Sequence, residues 1–435
     1  MKFIHRLNRN FLQLDLRYFF RNSFYNILAY AISIVCTLLI TYLIANKISS
    51  NDTGIYRYIY SWYGIISGVM LSGITTSLTI SIAKGYNSLR SAFFYKAFCS
   101  IFGVCASLVV AGYYFYNDNS TLSIGFILLG LSIPLLELSG LYSSYLQGRE
   151  DFKKASTLTI FNKISTLLLM LIFIYILHYT NSHSLLISNV FLVGITQTVY
   201  VYSLAKKDKE RQNIPAKHLN KKDPTLLPYA IHLTLMGVIF TIGQQADKLI
   251  LFSMFGSTTL AAYWIATTIP LEAQRFIAQI TTIYIPKLVR ADTGSLVFKK
   301  KFIRTVLIAT MILCIGCGLY WISAPMIFSY LFPKYITYTF ISQIFFLNII
   351  LIPSIFSWSF FLLQGNIKKT YLYHVADPLI QISLYVVFII LFGSTTVMPI
   401  IYAILAKNVI MAILGLTLFI NTKPSNSSIS HEQLV

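Results

Sequence analysis

Charge is what this sequence has least of. Asp, Glu, Lys and Arg make up 11% of its 435 residues, against roughly a quarter in a soluble domain. A water-soluble fold of this length could not cover its exterior, so that class is excluded. Acids are scarcest, with 14 Asp and Glu facing 34 Lys and Arg. Cysteine is rarer still, with five. Cys36, Cys99, Cys105, Cys314 and Cys317 all fall within or at the edge of apolar stretches, which leaves no disulfide framework. Cys314 and Cys317 form a C-x-x-C pair, but inside an apolar helix they read as small packing residues. There is no P-loop, no Gly-rich dinucleotide turn, no H-E-x-x-H and no G-x-S-x-G. The seven histidines are scattered; His374 shares a helix face with Asp377, yet two residues do not make a metal site. No enzymatic activity, cofactor or metal is therefore expected. The basic, amphipathic stretch Met1 to Ser23 lacks the short apolar core of a cleaved signal and predicts a cytoplasmic helix at the membrane surface.

What the chain has is hydrocarbon. Its mean hydropathy is +0.69, and 56% of residues are hydrophobic. They arrive in blocks of about 20, the length that crosses a hydrocarbon core of about 30 Å. The pattern predicts an all-α polytopic membrane protein with spans near 24–45, 58–83, 97–116, 122–146, 155–178, 185–205, 226–255, 260–285, 305–324, 339–363, 370–391 and 397–420. It also predicts an N-terminal six-helix lobe over 1–205, a basic cytoplasmic linker over 206–225, a C-terminal lobe over 226–420 and a polar tail over 421–435.

The net charge of +20 needs an account. Nucleic-acid binding requires a water-exposed basic face, which these loops do not offer. The positive-inside rule does better. With both termini cytoplasmic, twelve spans place about 27 cations inside and about three, Lys47, Arg57 and Lys334, outside. One span more or fewer spoils that split.

Two segments echo each other. SYLQGREDFKKASTLTIFNKIS begins at Ser144, and FLLQGNIKKTYLYHVADPLIQIS begins at Phe361. Gln147 and Gln364 lie about half a chain length apart, each at a cytoplasmic helix end before a Lys-Lys pair. A weaker echo links Gly54 with Leu260. Two six-helix halves of like orientation imply parallel repeats about an axis along the membrane normal, an architecture of transporters with a cavity between two lobes.

Eight ionisable residues fall inside spans: Glu137, Lys163, Asp247, Lys248, Glu272, Arg275, Asp377 and Lys407. A charge at the bilayer centre costs about 2.5–3.5 kcal/mol on insertion scales, so each faces a cavity or another charge. Four acids and four bases cancel, so a purely cationic pore is not implied. Glu272 and Arg275 share a helix face and can pair locally. Asp247 and Lys248 stand about 100° apart, so one of them is expected to bond another helix. Asp377 precedes Pro378, where a broken helix makes a hinge. Lys163 lies near enough to the cytoplasmic end to snorkel. Lys407 sits too deep for that and is the first candidate for a cavity-facing cation. Arg57 opens its span from outside as gate or anchor. Pro134 and Pro270 suggest paired kinks beside Glu137 and Glu272. The 30 Tyr and 32 Phe fit interfacial belts first.

Four segments, in order on twelve spans, carry a resemblance: TGIYRYIYSWYGIISGVMLSGI from Thr53, YLQGREDFKKASTLTIFNKIS from Tyr145, QQADKLILFSMFGSTTLAAYWIATTI from Gln244 and IAQITTIYIPKLVRA from Ile277. The chain resembles the O-antigen flippases, the polysaccharide-export branch of the multidrug/oligosaccharidyl-lipid/polysaccharide (MOP) superfamily. The resemblance implies a MATE-like fold of two six-helix lobes in a bacterial inner membrane. It implies passage of an undecaprenyl-pyrophosphate-linked oligosaccharide to the periplasmic leaflet by alternating access. Arg275 and Lys407, with Arg57 and Lys248 behind them, are expected to meet the pyrophosphate. Glu137, Asp247, Glu272 and Asp377 are expected to hold these cations, bond sugar hydroxyls or couple a proton, with Lys163 and His374 as further candidates. The lipid-linked oligosaccharide and the bilayer are the implied partners, followed by an O-antigen polymerase and a chain-length regulator. The nearest alternative is a drug/cation antiporter of the same fold. Such relatives usually carry an acid in the first span, and Phe24 to Ala45 has none, which leaves the energy source open. A membrane O-antigen polymerase is expected to have a large periplasmic loop, but no outside loop exceeds about 15 residues. A structural scaffold has no use for the buried charges.

Overall fold

The computed structural model describes residues 16–210, 223–282, 296–355, 367–393 and 396–421, with side chains described for most of them. Among the described residues there is no strand. In the first half of the chain the helices are α1 (Leu16–Lys47), α2 (Ser50–Val69), α3 (Ile74–Ala83), α4 (Leu89–Tyr116), α5 (Ser120–Gly148), α6 (Phe152–Leu171), α7 (Ser182–Leu186) and α8 (Leu192–Glu210). In the second they are α9 (Leu226–Thr282), α10 (Leu296–Leu331), α11 (Thr339–Phe346), α12 (Ile352–Ile355), α13 (Ile367–Phe392) and α14 (Met398–Ile420).

Helix starts follow local polar chemistry. Side-chain oxygens of Ser49, Asn119, Asp151 and Asn181 each accept the backbone N–H three residues on, satisfying donors a helix start leaves free. Ten helices among the described residues are long and apolar enough to cross a membrane, and α2 with α3, bent by 49°, makes an eleventh. One of the ten, Leu226–Ala278, holds 53 residues, about 80 Å at 1.5 Å per residue. Gly256, at φ 81° and ψ 180°, breaks it in a conformation only glycine adopts readily. The two parts, 226–255 and 257–282, are each long enough to cross, which brings the count to the twelve that hydropathy predicts.

Several edges differ from the hydropathy reading. Leu16 to Ser23 continue α1 without a break, rather than forming a separate surface helix. α2 begins at Ser50, not near 58, and α4 begins at Leu89, not near 97. The second difference matters, because it draws Lys96 two turns inside a helix. Hydropathy ends a span at the first charge, whereas a helix continues for as long as its backbone is bonded. The start of the N-terminal segment, most of the basic linker, the polar tail, Gln364 with Gly365, and 283–291 lie outside the described residues.

The chain divides into two compact units, 1–235 and 236–435. In the first, Leu71, Ile74, Leu78, Leu141, Tyr142, Leu146, Leu158, Leu226 and Ala230 form one buried cluster. Gly73 sits against α9 so closely that an added Cβ would meet Leu233 Cβ at 2.6 Å. Ser77 Oγ donates to Leu226 O at 2.7 Å, and Gly73 N–H donates to Thr234 Oγ1 at 3.0 Å. In the second unit, Tyr320 stacks on Phe346 with ring centroids 4.0 Å apart, and its hydroxyl meets Ser342 at 2.7 Å. Large apolar side chains stay exposed along α4 (Phe94, Phe98, Phe102, Val109) and α10 (Leu307, Met311, Ile315, Ile322). Water would penalise such faces, whereas hydrocarbon solvates them.

Candidate functional site

The sequence places eight charges inside spans and offers a local partner for Glu272 and Arg275 alone. In the first unit, Glu137 lies on α5 three residues beyond Pro134. Its Oε2 is 2.7 Å from Lys96 Nζ, and both side chains are buried. Its Oε1 accepts from Tyr63 at 2.8 Å and Ser67 at 2.5 Å, two α2 residues four apart and so on one face. Lys96 also donates to the Met70 carbonyl at 2.7 Å. Sequence reasoning missed Lys96, counting it with the cytoplasmic loop cations. The signal available was Glu137 itself, a deep acid with no cation near it in sequence.

Arg57 is half-buried in α2, its guanidinium 5.3 Å from the Tyr56 ring centroid and 5.8 Å from that of Tyr60. Lys163 Nζ, on α6, is 3.3 Å from Thr37 Oγ1 on α1.

The second unit gathers the rest. Asp247, in the first part of α9, is buried. Its Oδ1 is 2.9 Å from Lys248 Nζ, and its Oδ2 accepts from Tyr263 OH at 2.7 Å across the Gly256 break. Asp247 is therefore the member of the adjacent pair that bonds another helix, while Lys248 also donates to Gln244 O at 2.8 Å. Lys407 on α14 pairs with Asp377 on α13 at 3.0 Å, both buried. The two groups approach each other through α13. Gly243 sits against Pro378, where an added Cβ would meet Pro378 Cβ at 2.6 Å. One turn earlier the Phe240 and His374 rings meet edge-to-face with centroids 6.0 Å apart. Tyr385, also on α13, accepts a hydrogen bond from Gln381. Beside Lys407, Asn408 Nδ2 donates to Asn348 Oδ1 at 2.6 Å.

Glu272 and Arg275 form the local pair that their spacing allows, at 2.6 Å. Glu272 is buried, but 61% of the Arg275 side chain is exposed. Pro270 lies two residues before Glu272, within the second part of α9. All four expected acids thus hold a cation, and those cations differ widely in exposure. Among the described residues no three His, Cys, Asp or Glu side chains are grouped to hold a metal. Cys317 is buried with its thiol 3.8 Å from the Phe346 carbonyl, and Cys314 is exposed.

Residues 19–292 match the polysaccharide biosynthesis protein family. No curated protein matches the sequence. Solved structures supply the fold. An inward-facing multidrug resistance MATE transporter of the MOP superfamily is 13% identical, with 90% of this chain and 93% of that one covered at a TM-score of 0.66. An outward-facing MATE transporter of the same superfamily is 14% identical, with 92% and 94% covered at 0.62. A MOP superfamily transporter from Pyrococcus furiosus, described as having a binding pocket of reversed polarity that suggests a different function, is 13% identical, with 92% and 94% covered at 0.61. The fold is that of the MATE and MOP transporters.

Proposed function

We propose that this chain, which belongs to the polysaccharide biosynthesis protein family, moves a polyprenyl-pyrophosphate-linked oligosaccharide from the cytoplasmic to the periplasmic leaflet of a bacterial inner membrane. Both termini are taken to be cytoplasmic, which places the basic loops where the lipid-linked substrate is made. The chemical problem is desolvation. Each hydroxyl or amide that enters hydrocarbon without a partner costs several kcal/mol, so a sugar head group does not cross unaided. Polar side chains lodged inside spans can replace water while the polyprenyl tail stays in the lipid. Alternating access then exposes the head group to the far side.

The observation that carries this reading is Arg275. It lies inside a span, held by buried Glu272 at 2.6 Å, yet its guanidinium side chain is 61% exposed. An oriented guanidinium offers the planar, two-pronged donor set that suits a pyrophosphate. Lys248, partly exposed beside Asp247, is the second cation for that role. Lys407 and Arg57 stand behind them, and the four acids orient the cations, bond sugar hydroxyls or carry a coupling proton. An O-antigen polymerase and a chain-length regulator are the protein partners this role entails.

The test is complementation in the source bacterium deleted for this gene. Arg275→Gln is expected to cut surface polysaccharide by about tenfold or more, the effect of losing one charge-assisted contact of about 1.4 kcal/mol or more, while the lipid-linked unit accumulates on the cytoplasmic side. Arg275→Lys is expected to retain part of the signal. Undiminished surface polysaccharide from Arg275→Gln, with normal protein levels, overturns the reading.

A further inference from the structure

The span formed by α2 and α3 is broken where neither proline nor glycine demands it. Its 49° bend falls at Met70 to Gly73, and Leu71 takes φ 52°, a left-handed conformation that a branched apolar residue adopts at a cost. The local hydrogen bonds are rearranged. Ile74 N–H, which an unbroken helix would direct to the Met70 carbonyl, donates to Leu71 O at 3.1 Å. Leu71 N–H donates to Val69 O at 2.9 Å. Met70 O is thereby freed inside the buried part of the unit, where an unsatisfied carbonyl is expensive. Lys96 fills it at 2.7 Å while pairing with Glu137, also at 2.7 Å.

We infer that Lys96 is the positioning residue of this broken span. One ammonium joins three helices: it leaves α4, pairs with the carboxylate of α5 and caps the carbonyl at the end of α2. The remaining Glu137 oxygen takes Tyr63 and Ser67 of the same α2 face, so α2 is fastened to α5 on both sides of the carboxylate. α3 is fastened to α9, by Ser77 to Leu226 O and by the Gly73 amide to Thr234, and to a later stretch of α5 by Thr79 to Ser144 O. The two halves of one span therefore meet α5 at different levels, α3 is tied to α9 as well, and the break between them is set by the Lys96 contact. That the break serves transport rests on the proposed function; that Lys96 sets the break does not.

The test separates a cap from a mere charge pair. Full-length protein in lipid nanodiscs is compared as wild type, Lys96→Arg, Lys96→Met and the exchanged pair Lys96→Glu with Glu137→Lys. Amide hydrogen exchange is read over 66–78, and surface polysaccharide is read in cells. Lys96→Met is expected to speed exchange at the break by about a hundredfold or more, the scale on which a buried pair fails when one partner is lost. Lys96→Arg, which can still donate to both acceptors, is expected to stay near wild type. The exchanged pair restores opposite charges, but a carboxylate at 96 cannot donate to the Met70 carbonyl, so exchange at the break is expected to stay fast. Wild-type exchange in the swapped protein, or in Lys96→Met, overturns the inference. If exchange responds as expected while even the wild-type chain restores no surface polysaccharide, the transport reading fails and the role of Lys96 stands.

Discussion

Replacing Lys407 with Met tests the buried pair of the second unit most directly. The Met side chain keeps most of the length and apolar volume of lysine, so packing on α14 is nearly preserved. What is lost is the ammonium 3.0 Å from Asp377, at a site where both side chains are about nine-tenths buried. Leaving one member of a buried pair alone typically costs about 3–5 kcal/mol, most of it from the charge left behind. The penalty therefore belongs to Asp377, and removing that charge as well should recover much of it. Lys407→Met alone is expected to lose about 3–5 kcal/mol. The double variant Lys407→Met with Asp377→Asn should lose clearly less than the sum of the two single changes. For a cooperative unit of this chain's size, 3–5 kcal/mol corresponds to a drop of about 3–6 °C in the unfolding midpoint. The assay is thermal unfolding of the four proteins of the cycle in the same detergent, followed by light scattering and by intrinsic fluorescence. Coupling below about 0.5 kcal/mol, the scatter of independent sites, refutes the claim that this pair is a buried, mutually dependent unit.

Further outcomes follow from single contacts. Tyr263→Phe removes the hydroxyl that donates to Asp247 at 2.7 Å and is expected to cost about 1.5–3 kcal/mol, the worth of a hydrogen bond to a charged group; an unchanged unfolding midpoint would count against that bond. Gly256→Ala has room for its methyl group but not the backbone, since no atom lies within 4 Å and φ is 81°. It is expected to lose about 1–3 kcal/mol, read as a lower midpoint without loss of membrane insertion. Asp223 is partly buried just before α9, outside the spans. Burial pushes its carboxyl up, but hydrogen bonds from Thr225 and Ser81, with Lys84 nearby, hold it below its usual value of 3.8. A depressed carboxyl contributes stability above pH 3.8 and loses it as pH falls further, through its folded value. Asp223→Asn should flatten that acid limb of the stability profile, and an identical limb in both proteins removes Asp223 as its cause.

Most of the fold was legible in the sequence because the bilayer leaves few choices. A backbone in hydrocarbon must satisfy itself, so spans are helices, and their lengths follow from the thickness crossed. The break at Gly256 could also be placed, lying between blocks that are each long enough to cross. The break at Met70 to Gly73 could not. No proline marks it, and Leu71 gives no hint of a positive φ; the contacts around it come from Lys96 and Thr234, 26 and 161 positions from the groups they bond. The charges divide in the same way. Glu272 with Arg275 is a local pair that spacing alone allows. Lys96 with Glu137 and Asp377 with Lys407 join residues 41 and 30 positions apart, which periodicity cannot pair.

Exposure sorts these charges into two kinds of work. Between helices in lipid there is no hydrophobic drive to associate, so packing and polar contacts hold them together. An ion pair withdrawn from every solvent suits that task, because its attraction is least screened and a lost partner is most costly. Lys96, 2% exposed, and Lys407, 8% exposed, are of this kind, each tying one helix to another. A cation that meets a passing pyrophosphate has the opposite requirement. It must be oriented by its acid yet still present free donors, which Arg275 at 61% and Lys248 at 27% do. Depth in the membrane, the criterion that put Lys407 first in the sequence, selects for fastening as readily as for binding. Neutralising Lys248 should therefore cut transport with little loss of stability, since a half-open pair contributes about 1 kcal/mol or less, whereas neutralising Lys407 should lower both together. If Lys248→Gln instead lowers the unfolding midpoint as far as Lys407→Met does, exposure does not separate binding cations from fastening ones.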